Sequence, residues 1–259
     1  MELFAYIFIF SLIGGVFSLV GGFVLIAKEN IARGIFIHLI SFAAGALLGA
    51  AFLDLLPESI ESGIESEKVF LWALMGFVAL FLVEGIFLRF HRHDEHHFED
   101  APRNEKLKTH PHSTPWMLVI GDSMHNFLDG IAIAAAFLVD VPLGIVTSFA
   151  VAAHEIPQEI GDFSVMLHSG WKRRKVLYLN IGAAFMTTVG AVLAFAFRGA
   201  IEPIVGYLLA LTSGFFIYIA ASDLIPDLYR TSQKDKLAHV MALFIVGIIV
   251  VMVIVNVVE

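Results

Sequence analysis

Residues 122–130 read Asp122-Ser123-Met124-His125-Asn126-Phe127-Leu128-Asp129-Gly130. Asp122, His125, Asn126 and Asp129 fall at i, i+3, i+4 and i+7, which stacks them on one stripe of a helix. The flanking residues, 115–121 and 131–139, are almost wholly apolar, so the segment sits in a run long enough to cross a bilayer. Two carboxylates, an imidazole and an amide at mid-membrane depth are expensive to hold there, and such residues mark ion or substrate sites. This stripe makes the chain a membrane protein with a polar centre.

The next apolar run carries a second polar group, His154-Glu155-Ile156-Pro157-Gln158-Glu159. Both groups place ligand-type residues at i, i+1 and i+4: His125, Asn126 and Asp129 in one, and His154, Glu155 and Gln158 in the other. Residues one turn apart reach a common ion, so two facing helices offer four to six ligands. Imidazole, carboxylate and amide donors without sulfur suit a first-row divalent ion such as Zn²⁺, Fe²⁺ or Mn²⁺. The carboxylates supply the charge that a dication needs in hydrocarbon. A polar network that merely glues helices together is the simpler alternative. Six ligand-type residues at matched spacing favour the metal site. Pro157, between the ligands, cannot donate to the carbonyl of Ala153 and is expected to kink the helix.

Composition sets the frame. The 259 residues are 58% hydrophobic and only 15% charged, too apolar for an ordinary soluble domain. Cysteine is absent, which excludes disulfides and thiolate sites. Eight apolar runs are expected as membrane helices, at about 3–27, 33–56, 68–90, 115–138, 142–167, 174–197, 202–228 and 236–258. The first has no basic residues before it and reads as a retained span rather than a cleaved signal. Of the 16 lysines and arginines, all but Lys68 and Arg198 fall in the loops after runs one, three, five and seven. That bias places those loops in the cytoplasm and both termini outside. The fold class is thus all-α, polytopic and confined to one transmembrane domain over 1–259. Nothing in the charge pattern suggests nucleic acid as a partner.

Two further features concern organisation. Gly45 precedes Asp54-Leu-Leu-Pro57-Glu58 by nine residues, and Gly214 precedes Asp223-Leu-Ile-Pro226-Asp227 by nine. The first pair lies on helix 2 and the second on helix 7, which run in opposite directions. With helices 4 and 5 matched as well, the pattern suggests a 3 + 2 + 3 inverted repeat, a transporter signature. The one long connector, about 91–114, contains His91, His93, His96, His97, His110 and His112. It is either a low-affinity metal collector at the inner mouth or a solvated linker.

Supporting residues carry two readings each. Asp122 and Asp162 extend the stripes one turn inward, as an inner relay for the ion or as acceptors that orient the imidazoles. Glu159 is a support residue or a further ligand. Asp54, near the outer end of helix 2, is an entry residue or an interfacial one. His168 either assists exit or snorkels into water. Gly14, Gly15, Gly21 and Gly22 permit close helix packing, within the bundle or between subunits.

At this point the chain resembles a known family. His125-Asn126-Phe-Leu-Asp129-Gly130, preceded by Gly121-Asp122, and His154-Glu155-Ile-Pro157-Gln158-Glu159-Ile-Gly-Asp162-Phe look like the signatures of the ZIP divalent-metal transporters. The resemblance spans essentially the whole chain. It implies a 3 + 2 + 3 bundle, a mononuclear or binuclear metal site between helices 4 and 5, and alternating-access movement of the ion toward the cytoplasm. By motif position it makes His125, Asn126, Asp129, His154, Glu155 and Gln158 the ligands. The expected cargo is Zn²⁺, with Fe²⁺, Mn²⁺ and Cd²⁺ as alternatives. The metal is substrate, and no cofactor is expected. The expected setting is the plasma (cell) membrane, an inner membrane where there are two, and a homodimer is plausible. Gln158 stands where many relatives have His or Glu, and Met186 is the nearest match to a helix 6 Glu that some relatives add. The competing functions are a metal-selective channel or sensor of the same fold, and an intramembrane metalloenzyme with Glu155 as base. The last lacks its second His, because Gln158 stands there.

Overall fold

The computed structural model describes residues 2–27, 29–92, 114–226, 228 and 237–258. Most of the His-rich connector, together with Asp227, lies outside the described residues. Among those described, helices account for nearly the whole chain, and no strand occurs.

Eight helical spans follow one another, labelled α1–α8. α1 is built of Glu2–Val16 and Leu19–Ala27. α2 runs from Glu29–Ala50 through a wide π turn, Ala51–Leu55, into Leu56–Glu61. α3 is Ser66–Arg92, α4 Thr114–Val139, α5 Val141–His168 and α6 Arg173–Ala196. α7 opens with the short turns Arg198–Ile201 and Glu202–Ile204, continues as Val205–Tyr218 and ends in a second π turn, Ile219–Leu224. α8 is Leu237–Val258.

Among the described residues, six spans are long and apolar enough to cross a membrane. α4 and α5 are not among them, although both were expected from their apolar flanks. The polar stripe of α4 and the His154–Glu159 cluster of α5 lower their hydropathy. These two are sheltered by the rest: α4 packs on α6 and α5, and α5 also packs on α1 and α2. α2 packs on α8 and α3 on α7. Large apolar side chains of α1, α3 and α8, such as Phe8, Phe70, Leu74 and Ile245, face outward. That is the arrangement of an integral membrane protein, with lipid as the solvent of its outer surface.

Three local departures from straight helices have physical causes. α1 breaks at Phe17–Ser18, where a single helix over 3–27 was expected. There Val20 N donates to Phe17 O and Gly21 N to Ser18 O, tightening the turn, while Ser18 Oγ donates to Gly15 O at 2.5 Å. Side-chain competition for the backbone and four nearby glycines weaken the helix at this point. The two π turns contain Asp54 and Asp223 and lie just before Pro57 and Pro226. Each proline lacks the N–H that would serve the carbonyl four residues back, and a widened turn absorbs the mismatch.

The α1 glycines serve the inside of the bundle. A Cβ at Gly15 would overlap the Ala184 carbonyl oxygen of α6, and one at Gly21 would sit 2.5 Å from the Ile156 carbonyl oxygen of α5. They therefore do not form a face for another subunit. The tightest contact near the polar centre is between α4 and α6. A Cβ on Gly130 would collide with the Thr187 carbonyl oxygen, and one on Gly190 with that of Phe127.

Candidate metal centre

α4 and α5 are joined by one residue, Asp140. Its extended backbone (φ −154°, ψ 170°) ends α4, and its Oδ1 accepts from Leu143 N at 2.7 Å, capping α5. Pro142 occupies the first turn, where no N–H is needed. The hairpin is therefore tight. His125 and His154 stand almost equally far along the chain from Asp140, on opposite arms, and so arrive at the same depth.

They meet there. His125 Nε2 and His154 Nε2 are 3.2 Å apart, with the rings nearly perpendicular at 84°. Asp129 Oδ2 lies 3.2 Å from His154 Nε2 and 3.7 Å from His125 Nε2. Glu155 Oε1 lies 3.5 Å from His125 Nε2 and 3.7 Å from His154 Nε2. Each of the four residues presents a donor atom within 4.8 Å of all the others. A tetrahedral zinc with bonds of about 2.0–2.1 Å would set its ligand atoms about 3.3–3.4 Å apart. The spacing found brackets that value.

The hydrogen bonds say what the four atoms lack. His154 Nδ1 lies 3.0 Å from the Ala150 carbonyl oxygen, which can only accept, so Nδ1 carries the proton. In the neutral ring Nε2 then points a lone pair at the cluster. Both Glu155 oxygens are without a donor among the described residues, and Glu155 is fully buried. Two imidazole nitrogens and two carboxylate oxygens converging in a buried site are a set that a cation satisfies. Phe216 of α7, itself buried, closes one side, with its ring centroid 6.0 Å from that of His154.

The other expected residues fall around this core. Asn126 is fully buried, and its amide is engaged elsewhere. Nδ2 donates to Asp122 Oδ1 at 2.9 Å and to the Asp122 carbonyl oxygen at 3.1 Å, and Oδ1 accepts from Thr187 Oγ1 at 2.7 Å. Gln158 is half-buried, one turn along α5 from His154. α5 continues as a helix through the buried Pro157.

Asp122, Glu159 and Asp162 are buried; both oxygens of Glu159 and Asp122 Oδ2 have no hydrogen-bond partner among the described residues. Glu159 is close enough to Asp122 and Asp162 to interact with both electrostatically. Asp54 is buried in the π turn of α2, far along the chain from the core. The side chain of His168 lies outside the described residues. Thr187, which no spacing argument singles out, is the α6 residue that reaches the α4 stripe, and Met186 beside it is half-buried. The clue available was the Thr187-Thr188 pair in an otherwise apolar run.

Several zinc transporters are similar in sequence to this chain. The zinc transporter ZIP13 of Pongo abelii is 29% identical over 227 residues, covering 82% of this chain and 65% of its own length. Zinc transporter ZIP4 of Homo sapiens is 29% identical over 248 residues, covering 74% of this chain and 38% of its own. Zinc transporter ZIP10 of Danio rerio is 39% identical over 125 residues, 48% of this chain and 15% of its own. The chain thus spans less than two thirds of the length of each of these relatives. The profile of the ZIP zinc transporter family matches residues 2–115 and 91–255, so the pattern extends well beyond the α4–α5 motifs. An all-helical membrane bundle with a His₂-carboxylate₂ cluster between α4 and α5, matched almost end to end by that profile, belongs to the ZIP zinc transporter family.

Proposed function

We propose that this protein moves divalent transition metal ions, Zn²⁺ first among them, across the membrane through the α4–α5 cluster. The observation that carries the reading is the spacing of His125 Nε2, His154 Nε2, Asp129 Oδ2 and Glu155 Oε1, which fits the edges of a zinc tetrahedron. Two carboxylates with two neutral imidazoles give a charge that a dication cancels, which lowers the cost of the ion at mid-membrane depth. The relatives named above are zinc transporters, in keeping with this cargo.

The rest of the path follows from the buried acids. Asp122, Glu159 and Asp162 form a step of buried carboxyl groups between the core and the α4 start and α5 end. The loops at that end carry most of the basic residues, so it is assigned to the cytoplasm, with both termini outside and the protein in the cell membrane. Metal then moves inward, with Asp54 near the entry and His168 near the exit. Gln158 is a further ligand as the ion passes. Alternating access in an inverted repeat fits the two proline-linked π turns of α2 and α7, and the matched pairings of α2 on α8 and α3 on α7. A homodimer belongs to the same proposal; its test is the mass of the detergent-solubilised particle. Catalysis is disfavoured, because Glu155 sits among the ligand atoms, and Gln158 replaces the second His of a zincin helix.

The test is zinc uptake into proteoliposomes. Saturable uptake, competed by Fe²⁺, Mn²⁺ or Cd²⁺, supports a carrier. Flux that rises linearly with zinc without saturating points to a channel instead, and no flux above protein-free vesicles removes the proposal.

A further inference from the structure

Charge also gathers at one end of the bundle. Lys172, Arg173, Arg174 and Lys175 are four consecutive cations, all exposed, at the N-cap and first turn of α6. No acidic residue occurs in the sequence between Asp162 and Glu202. A helix start carries partial positive charge and favours acids, so cations here oppose the local preference. Departures of this kind mark functional surfaces. Two tryptophans flank the run. Trp116 lies in the first turn of α4 and Trp171 in the α5–α6 turn, with ring centroids 5.2 Å apart at 66°. Lys175 Nζ sits 3.4 Å from the Trp171 ring centroid and 4.6 Å from that of Trp116. The turn itself is fixed by its backbone. Gly170 takes φ +83°, Trp171 N donates to the Met166 carbonyl oxygen at 3.3 Å, and Val176 N donates to that of Lys172 at 3.1 Å.

We propose that the Lys172–Lys175 run and the Trp116–Trp171 pair form a binding surface for anionic phospholipid headgroups, in the leaflet at the α4 start and α5 end. Indole rings prefer the headgroup level of a membrane, and Trp116 is 47% exposed. Through the two cation–π contacts the indoles hold Lys175 at that level. A headgroup phosphate there meets ammonium and guanidinium donors in charge-assisted hydrogen bonds. Its negative charge offsets the repulsion of adjacent cations by one another and by the helix start. The exposed indole face gives apolar contact to the glycerol and first methylenes of a lipid, which a free phosphate ion cannot use. The two basic residues at the opposite end are engaged locally. Lys68 Nζ is 3.0 Å from Glu65 Oε2, and the Arg198 guanidinium lies 4.6 Å from the Phe195 ring centroid.

The experiment is tryptophan fluorescence quenching of the full chain in nanodiscs, with lipids brominated on the acyl chains close to the headgroup. Trp72→Phe silences the remaining tryptophan, near the α3 start at the other end, so the signal comes from Trp116 and Trp171. Should that variant not fold, the difference between the parent and a Trp116→Phe, Trp171→Phe protein isolates the same signal. Brominated phosphatidylglycerol is expected to quench at a lower mole fraction than brominated phosphatidylcholine, and added salt to shrink the difference. Lys172→Gln and Arg174→Gln are each expected to lower that preference about fivefold, the effect of one cation at a charged leaflet. Lys172→Arg and Arg174→Lys are expected to keep it. Equal quenching by the two lipids overturns the proposal, as does a preference that survives the loss of both charges. An equal fall in Lys68→Gln, at the opposite end, would mean that net charge alone decides, and overturns it too. Sodium phosphate and sodium chloride at equal ionic strength are expected to act alike; loss of the preference in phosphate alone would assign the surface to a free anion instead of a lipid.

Discussion

His125 Nε2 and His154 Nε2 lie 3.2 Å apart although they stand on opposite arms of a hairpin that turns at Asp140. The contact depends on register. Shifting either helix by one residue would rotate its imidazole by about 100° and move it by about 1.5 Å. The tight turn and the close α4–α6 contact hold that register.

The turn is the first place to test it. Asp140→Ala removes the acceptor for Leu143 N and should cost about 1 kcal/mol of stability. Asp140→Asn should retain most of it. Thermal unfolding in detergent measures both, and equal melting temperatures for parent and alanine variant would show that the cap contributes nothing.

The α4–α6 contact gives a second prediction. Gly130→Val places a side chain where the Thr187 carbonyl oxygen sits, so the helices must separate. Both melting temperature and zinc affinity should fall, because α4 carries His125 and Asp129. Gly121→Ala is the control: a Cβ there meets nothing within 4 Å. A Gly130→Val variant that binds zinc like the parent would mean that the contact does not position the ligands.

Gln158 makes a third. It is a neutral, weakly donating amide one turn from His154. Gln158→His adds an imidazole and should change the ranking among Zn²⁺, Fe²⁺ and Mn²⁺ in competition uptake, raising the nitrogen-preferring ions. An unaltered ranking would remove this position from selectivity.

Acid gives a fourth. Zinc binds the neutral imidazole and the ionised carboxylate, so protons compete with it. Affinity should fall steadily from about pH 8 to about pH 5, through the range where histidine ordinarily titrates. Titration calorimetry in two buffers of different ionisation enthalpy would also detect the protons released. Affinity that rises in acid contradicts a His₂-carboxylate₂ centre.

The sequence was most informative where helical periodicity speaks directly. His125 with Asp129 repeats one turn apart, and two similar groups flank a short polar break at Asp140, so their meeting was legible. Six spans were legible as apolar runs, whereas α4 and α5, whose polar groups lower their hydropathy, fall short of that measure among the described residues. Less legible was everything that depends on which helix lies beside which. Thr187 reaches Asn126 only because Gly130 and Gly190 let α4 and α6 touch, and no local pattern encodes that pairing. The contacts of the Asn126 amide with Asp122 and Thr187 are likewise beyond what spacing shows. The break at Phe17–Ser18 and the π turns before Pro57 and Pro226 arise from backbone hydrogen-bond competition, which an apolar run conceals.

In the proposed site one ion is held by ligands from both arms of the hairpin. X-ray absorption at the zinc edge of the loaded protein tests it most directly. Four nitrogen and oxygen neighbours at about 2.0 Å are expected, with the outer-shell scattering of two imidazoles falling to that of one in His154→Ala. A zinc spectrum without imidazole scattering, or one unchanged by His154→Ala, would contradict it.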